Sequence, residues 1–308
     1  VGAVTQPFEI VMPFWGSFDY LREAVQSVQA QSDPDWRLLV FDDHYPDTEP
    51  GQWVQALADP RVRYERASAN HGVGGAFRVS AQSMSAPFGI IMGCDDVLLP
   101  GFVERARLLT ATYRQASVIQ PGVVVINDTS EPHLPWADRL KRAIMPRSPR
   151  PTVIAGEALA ASLLAGNWAY FPSLIWNADA LRRYPFDDMA TIVPDLKLLL
   201  DIAADGGQLV IDDEPVFLYR RHRGSVSSEG AAQGWRFDEE RKLFAAEHAR
   251  FRAKGWNRAA RAAALHWTSR LHALSVVPSA LRSGALRGAL GLIRHALGVL
   301  PRSSSSEA

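Results

Sequence analysis

The feature that most constrains this chain is an alternation running through its first hundred residues, in which short apolar runs give way to stretches of helical spacing. Residues 8–12 (Phe-Glu-Ile-Val-Met) read as a buried strand stopped by Pro13. Residues 18–31 follow with Leu21, Val25 and Val28 on one helical face. A second strand, residues 36–41, ends in Asp42-Asp43, and a third spans residues 62–66. Residues 72–84 read as helix, and a fourth strand, residues 88–92, ends at Gly93-Cys94-Asp95-Asp96. Strands separated by helix-length segments form βαβ units, so the expected fold is α/β with a mostly parallel central sheet flanked by helices.

Two of these strands finish in acidic pairs. Asp commonly ends strands and opens turns, which is sufficient reason for one such pair. Two pairs at equivalent strand ends point to a site, because open α/β sheets bind ligands at the carboxyl ends of their strands. Further along, residues 118–126 read as another strand. Residues 127–151, rich in Pro and Arg, read as a long mobile loop of the kind used as an active-site lid. Residues 166–176 look extended and aromatic, residues 195–204 helical, and residues 208–211 and 215–220 two closing strands. Beyond Ser225 only helical patterns remain.

Composition narrows the context. The single cysteine, Cys94, excludes an intrachain disulfide and suits a reducing compartment. Residues 1–7 show no secretory pattern, and no run approaches the ~18 apolar residues of a membrane span. The expected compartment is therefore the cytoplasm. The net charge of zero conceals an asymmetry, since residues 249–308 hold ten Lys/Arg and one acid, Glu307. An acidic body with a basic tail implies different partners for the two parts, and no nucleic-acid partner is expected.

Taken in order, these segments resemble glycosyltransferase family 2, the inverting enzymes of the GT-A fold. The resemblance covers residues 8–228. Phe8 to Trp15 resemble the opening strand, and Tyr20 to Val28 with Gln31 the first helix. Leu39-Val40-Phe41-Asp42-Asp43 resembles the second strand with its acidic pair. Asp59-Pro60-Arg61-Val62-Arg63-Tyr64, Asn70-His71-Gly72-Val73-Gly74 and Gly93-Cys94-Asp95-Asp96-Val97-Leu98-Leu99-Pro100 follow as they do in the family. Sugar transfer from a nucleotide diphosphate requires a grip on the nucleoside, neutralisation of the departing diphosphate and activation of an acceptor hydroxyl. Hard oxygen ligands on Mg2+ or Mn2+ meet the second need, and a carboxylate acting as general base meets the third.

The resemblance implies a UDP-sugar or related donor, with Mn2+ or Mg2+ as cofactor. It places Pro13, Asp42, Asp43, Arg78, Asp95 and Asp96 at the donor. Asp43 would bond the base, Asp42 would support the same turn, and Asp95 and Asp96 would reach the ribose and the metal-bound diphosphate. His222, in the closing segment Tyr219-Arg220-Arg221-His222-Arg223-Gly224, becomes a further metal ligand, and the neighbouring arginines become partners of the diphosphate. Asn167 and Trp168 resemble the acceptor-facing segment. Asp195 resembles the base, with Asp187 and Asp188 as alternatives, although a first-turn Asp also suits a helix dipole. The chain departs twice from the family pattern. Gly93 replaces the first acid of Asp-X-Asp-Asp, and Pro194 replaces a Glu. Gly72-Val73-Gly74-Gly75 is not a dinucleotide fingerprint, because Phe77 occupies its last position and the segment follows the third strand rather than the first. Cys94 reads as a packing residue.

The expected organisation is a catalytic domain over residues 1–228 and a helical, basic region over 229–308. Within the latter, residues 279–300 plot as an amphipathic helix. Leu286, Leu290, Leu292, Ile293, Ala296, Leu297, Val299 and Leu300 gather on one side, with Arg287, Arg294 and His295 opposite. Such a helix suits a membrane surface or a protein neighbour. The expected function is inverting transfer of a sugar to an acceptor hydroxyl, with a cell-envelope glycan or lipid-linked acceptor. The alternatives are a catalytically weak nucleotide-sugar-binding relative or, with less support, a nucleotidyltransferase.

Overall fold

The computed structural model of the chain describes residues 6–147, 151–184, 194–222, 235–282 and 286–298. Two compact units emerge, one formed by Val1–Ala160 and Trp168–Arg221, the other by Ala161–Asn167 and His222–Ala308.

The first unit opens with β1 (Phe8–Phe14), α1 (Phe18–Gln29), β2 (Trp36–Asp42), α2 (Glu49–Ala56), β3 (Val62–Arg66), α3 (Gly72–Ser83) and β4 (Phe88–Ile91). The βαβ alternation read from the sequence is present, and β3-β2-β1-β4 form a wholly parallel half-sheet. The second half is mixed. It is built from β5 (Val97–Leu98), β6 (Ala116–Ile126), β7 (Thr152–Ala155), β8 (Ile175–Asn177) and β9 (Gln208–Arg220), and β4 joins it through antiparallel β8. Helices α4 (Phe102–Thr112), α5 (Trp136–Ile144), α6 (Gly156–Ala165), α7 (Ala178–Arg183) and α8 (Pro194–Ala204) complete the series. The buried core of Ile10, Met12, Leu21, Val25, Trp36, Leu38, Ile90 and Phe102 joins β1, β2 and β4 to α1 and α4. The apolar spacing of α1 therefore buries Leu21, Ala24, Val25 and Val28 against the parallel strands that carry the acidic pairs.

Three local readings change. Strand β1 continues through Pro13 to Phe14. The Val11 carbonyl accepts from Met92 N, so Pro13, two residues on, faces the same side at a point beyond the last residue of β4. The ladder to β4 ends before Pro13, so proline is tolerated there. Second, the expected mobile loop contains α5. Its buried Asp138 takes paired hydrogen bonds from Arg221 (Nε 3.2 Å, Nη2 3.0 Å) and one from the Tyr170 hydroxyl at 3.2 Å, which pins the helix to β9. Third, the two closing strands are one. Register shifts against β6 around Gly122 absorb the irregularity at Pro215, and a Cβ at Gly122 would strike the backbone of Asp213 and Glu214.

The second unit holds α9 (Trp235–Ala253), α10 (Asn257–Leu265), α11 (Trp267–Arg282) and α12 (Leu286–Ala296), and α9, α11 and α12 pack around Phe237, Ala273, Ala280, Ala289 and Leu292. The expected single helix over 279–300 is instead the end of α11 followed by α12, and its inner face differs from the wheel. Ala289, Leu292 and His295 are buried, while Leu290, Ile293 and Leu297 face outward. His295 turns inward because its Nε2 lies 2.7 Å from Ser269 Oγ, whose own proton goes to the Glu240 carboxylate. His295 must therefore donate through Nε2–H, which leaves Nδ1 bare and without a hydrogen-bond partner. Among the described residues no helix is long and apolar enough to cross a membrane.

Candidate active site

The parallel half-sheet brings the carboxyl ends of β2, β1 and β4 side by side, so Asp43, Pro13 and the Gly93–Asp96 turn share one edge. Adjacent strands lie ~4.8 Å apart, which sets β2 and β4 ~10 Å apart across β1, a span on the scale of a nucleoside diphosphate. Half-buried Pro13 lies between the two acidic positions, and Trp15, 53% exposed, follows it. The Trp15 ring meets Tyr45 edge-on at 5.7 Å, and Tyr45 in turn packs on Phe14 at 4.8 Å. This aromatic shelf beside Asp43 is absent from the sequence reading beyond Pro13, although Trp15 directly follows the first strand.

Asp42 and Asp43 separate in role. Asp42 is fully buried, accepting from Tyr45 N (2.6 Å), Arg66 Nη1 (2.9 Å) and the Tyr64 hydroxyl. Its carboxylate is consumed in tying the loop after β2 to β3, a supporting role. Asp43 is also buried, but its partners gather on one oxygen. His71 N and Nδ1 both lie 2.8 Å from Oδ1, and among the described residues Oδ2 makes no hydrogen bond. Asn70 Nδ2 donates to the Asp43 carbonyl at 3.1 Å. Gly72 adopts φ +68° where the chain turns from this contact into α3, a conformation that suits glycine. Arg78 lies half-buried on α3, and its guanidinium reaches the side of the helix where Gly75 leaves space.

The Gly93–Asp96 turn is closed by Asp96 N donating to the Gly93 carbonyl at 3.2 Å. Asp96 is 1% exposed. Its Oδ1 accepts from Arg220 N at 2.9 Å, and its Oδ2 is buried without a hydrogen-bond partner. Burial and the neighbouring Asp95 charge push the Asp96 carboxyl well above the usual carboxylate range, against the opposing pull of Arg220 and Arg221. An orphaned carboxylate oxygen in that setting is costly unless a cation completes it. Gly93 lies directly beneath. A Cβ there would sit 2.5 Å from Asp95 Oδ1 and 2.9 Å from Asp96 Oδ2, so the two carboxylates converge over the space that glycine leaves. Cys94 is buried below the turn, its thiol pushed up to about 12 by burial and by Asp95, and it serves as packing.

The arginines of the closing segment behave differently from the expectation that they meet a diphosphate. Arg220 is buried and saturated. Its Nε donates to Asp95 O (2.6 Å), Nη1 to Asn127 O (3.1 Å) and Ser130 Oγ (2.9 Å), and Nη2 to Glu23 Oε2 (2.6 Å). It clamps the diacid turn from behind. Arg221 is held by Asp138, and Arg223 lies outside the described residues. The Tyr219 hydroxyl is pushed up to about 12, chiefly by burial, with the Asp95 and Asp96 charges adding to the rise.

Asp195 stands in the first turn of α8, immediately after Pro194, and is half-buried. Trp168 is fully buried, so its indole packs in the core rather than facing an acceptor. Asn167 and His222 belong to the second unit. Asp187 and Asp188 lie outside the described residues. Among the described residues no group of three or more His, Cys, Asp or Glu side chains is arranged to hold a metal ion.

Comparison with known proteins agrees with this architecture. Residues 9–161 match the family described as Glycosyl transferase family 2. The succinoglycan biosynthesis protein ExoO of Rhizobium meliloti (strain 1021) is 27% identical over 225 residues, an alignment covering 70% of this chain and 61% of ExoO. Among solved structures, S. aureus TarS 1-349 in complex with UDP-GlcNAc superimposes with a TM-score of 0.60 at 13% identity, covering 78% of this chain and 66% of that one. The UDP complex of TarS 1-349 gives a TM-score of 0.55 at 12% identity, over 94% and 89% of the two chains.

The fold is therefore GT-A, with a parallel half-sheet and a mixed second half. Within that fold class, residues 9–161 belong to glycosyltransferase family 2.

Proposed function

We propose that this chain is an inverting glycosyltransferase that moves a sugar from a UDP-sugar to an acceptor hydroxyl of a cell-envelope glycan, free or lipid-linked. The observation that carries the reading is the diacid turn, where Asp96 Oδ2 is buried without a partner and converges with Asp95 Oδ1 over Gly93. The turn shares a sheet edge with Asp43, which keeps one oxygen for the imide N–H of a uracil. The TarS complexes with UDP-GlcNAc and UDP support a uridine donor, and ExoO supports a glycan product.

The residues fit Mg2+ or Mn2+, ions that take few protein ligands and fill the rest of their shell with water and substrate phosphate oxygens. Asp95 and Asp96 would hold the ion, and the expected third ligand, His222, is not grouped with them. A bound ion would supply Lewis-acid neutralisation of the leaving diphosphate. The remaining work falls to the protein. Asp43 orients the base against the Trp15–Tyr45 shelf, with Pro13 as its floor, and Arg78 meets donor phosphate. Asp195 takes the proton from the acceptor hydroxyl as its oxygen attacks the anomeric carbon opposite the diphosphate, so configuration inverts and the proton ends on the Asp195 carboxylate.

Asp195→Asn tests the assignment. Transfer should fall by roughly 10²–10⁴-fold, the usual contribution of a general base, while UDP binding stays within a factor of about two. Loss of UDP binding would place Asp195 at the donor instead. Gly93 and Pro194 motivate a second reading, a relative that binds nucleotide sugars without turning them over. UDP-sugar binding with neither hydrolysis nor transfer across an acceptor panel would select it.

A further inference from the structure

Helices α11 and α12 are apolar on both faces, which a solvated helical hairpin does not require. Their inner faces are accounted for, because Ser269, Ala273 and Ala280 of α11 and Ala289, Leu292 and His295 of α12 are buried. Their outer faces carry leucine stripes. On α11, Trp267 is 39%, Leu271 47%, Leu274 49% and Leu281 49% exposed. On α12, Leu290 is 58% and Ile293 36% exposed, and Leu297, just past its end, is 71% exposed. At 100° per residue each stripe falls within a sector of roughly 80°, opposite the buried face. The helices run antiparallel, since Ser269 near the start of α11 meets His295 near the end of α12, and Arg270 lies against Gly298. The two stripes therefore run alongside one another.

The charge carried by this last stretch of sequence is almost all of one sign. Residues 249–308 contain ten Lys/Arg, and their one acid, Glu307, stands next to the last residue. Arg282 and Arg294 are exposed at the edges of the stripes, and Arg252 at the end of α9, Lys254 just after it, and Arg258 and Arg261 on α10 are exposed as well. Exposed Leu and Trp with a cationic border, on helices too short to span a bilayer, match the chemistry of an anionic lipid surface.

We propose that the outer face of the α11–α12 hairpin is a peripheral docking surface for anionic membrane lipid. Leucine side chains would enter the headgroup–acyl boundary, and Arg282 and Arg294 would meet lipid phosphates. The inference is independent of the donor-site reading, since it requires neither nucleotide nor catalysis.

The test is flotation of the whole chain with phosphatidylcholine vesicles containing or lacking phosphatidylglycerol, at low and high salt. Binding should require phosphatidylglycerol and weaken with salt. Leu274→Glu with Ile293→Glu should reduce partition by at least about tenfold, since each leucine-sized side chain contributes on the order of a factor of ten when buried. Leu274→Ser with Ile293→Ser, which adds no charge, should also reduce it, with both variants checked for unchanged circular dichroism and melting temperature. Arg282→Glu with Arg294→Glu should abolish the lipid preference. No binding to phosphatidylglycerol vesicles, or binding indifferent to all these substitutions, would overturn the proposal. So would wild-type self-association that Ile293→Glu dissolves without any lipid binding, which would assign the face to a second copy of the chain.

Discussion

Gly93 replaces the first acid of the family's Asp-X-Asp-Asp turn, so restoring that acid would ordinarily be expected to strengthen metal binding. The geometry predicts the opposite. A side chain at position 93 would place its Cβ 2.5 Å from Asp95 Oδ1 and 2.9 Å from Asp96 Oδ2. The first distance is about 1 Å inside the ~3.5 Å of a favourable non-bonded contact. Asp96 has little room to withdraw, being 1% exposed and tied through Oδ1 to Arg220 N at 2.9 Å. The Asp95 backbone is fixed by Arg220 Nε at 2.6 Å. Gly93 does not occupy the positive-φ region, so the objection to a side chain is steric rather than conformational. Displacing a ligand by ~1 Å costs on the order of 100-fold, or about 2.7 kcal/mol. Gly93→Ala should therefore weaken Mn2+ and Mn2+–UDP binding by roughly ten- to 100-fold, and Gly93→Asp should weaken it at least as much. Calorimetric titration of Mn2+, alone and with UDP, reads this directly, with the melting temperature as the control for folding. Wild-type affinity in Gly93→Ala, or higher affinity in Gly93→Asp, would refute the steric reasoning.

Further outcomes follow from other parts of the site and fold. Asp96→Asn should abolish Mn2+ binding yet raise the melting temperature of the ligand-free protein by ~2–4 °C, because it removes a buried carboxylate with one unpartnered oxygen; a fall would contradict that. Asp43→Ala should weaken UDP binding at least about tenfold, the loss of a charge-assisted hydrogen bond, while leaving Mn2+ binding without nucleotide intact, and both are read by the same titration. Burial lowers His295 from its ordinary 6.5 to about 4. The unfolded chain therefore takes up a proton before the folded one does, and this contribution to stability is intact above pH 6.5 and declines as pH falls toward 4. Urea unfolding across that window should show the decline, and His295→Gln should flatten it.

The fold was legible where one periodicity governed. The apolar runs of β1, β2 and β4 and the spacing of α1 placed the acidic pairs on one sheet edge. What escaped was set by distant partners. Asp42 and Asp43 are adjacent identical residues, and only Tyr64, Arg66 and His71 from later segments make one a brace and leave the other an open oxygen. Arg220 reads as a phosphate-binding arginine until Glu23, at the far end of the chain, and the Asp95 backbone occupy its guanidinium. Helix α5 was hidden by its Pro- and Arg-rich flanks, although Trp136, Leu140 and Ile144 stand four residues apart. On a helical wheel His295 belongs with the polar residues, and its inward turn depends on Ser269 of the preceding helix.

The central claim is that Asp43 and the Asp95–Asp96 turn form one donor site along the edge of the parallel half-sheet. Crystals grown with UDP and Mn2+, with data collected for anomalous scattering from manganese, test it most directly. The account predicts uracil against Asp43 Oδ2 and one anomalous peak within coordination distance of Asp96 Oδ2 and an Asp95 carboxylate oxygen. A nucleotide bound elsewhere, or UDP in this cleft with manganese remote from both aspartates, would contradict it.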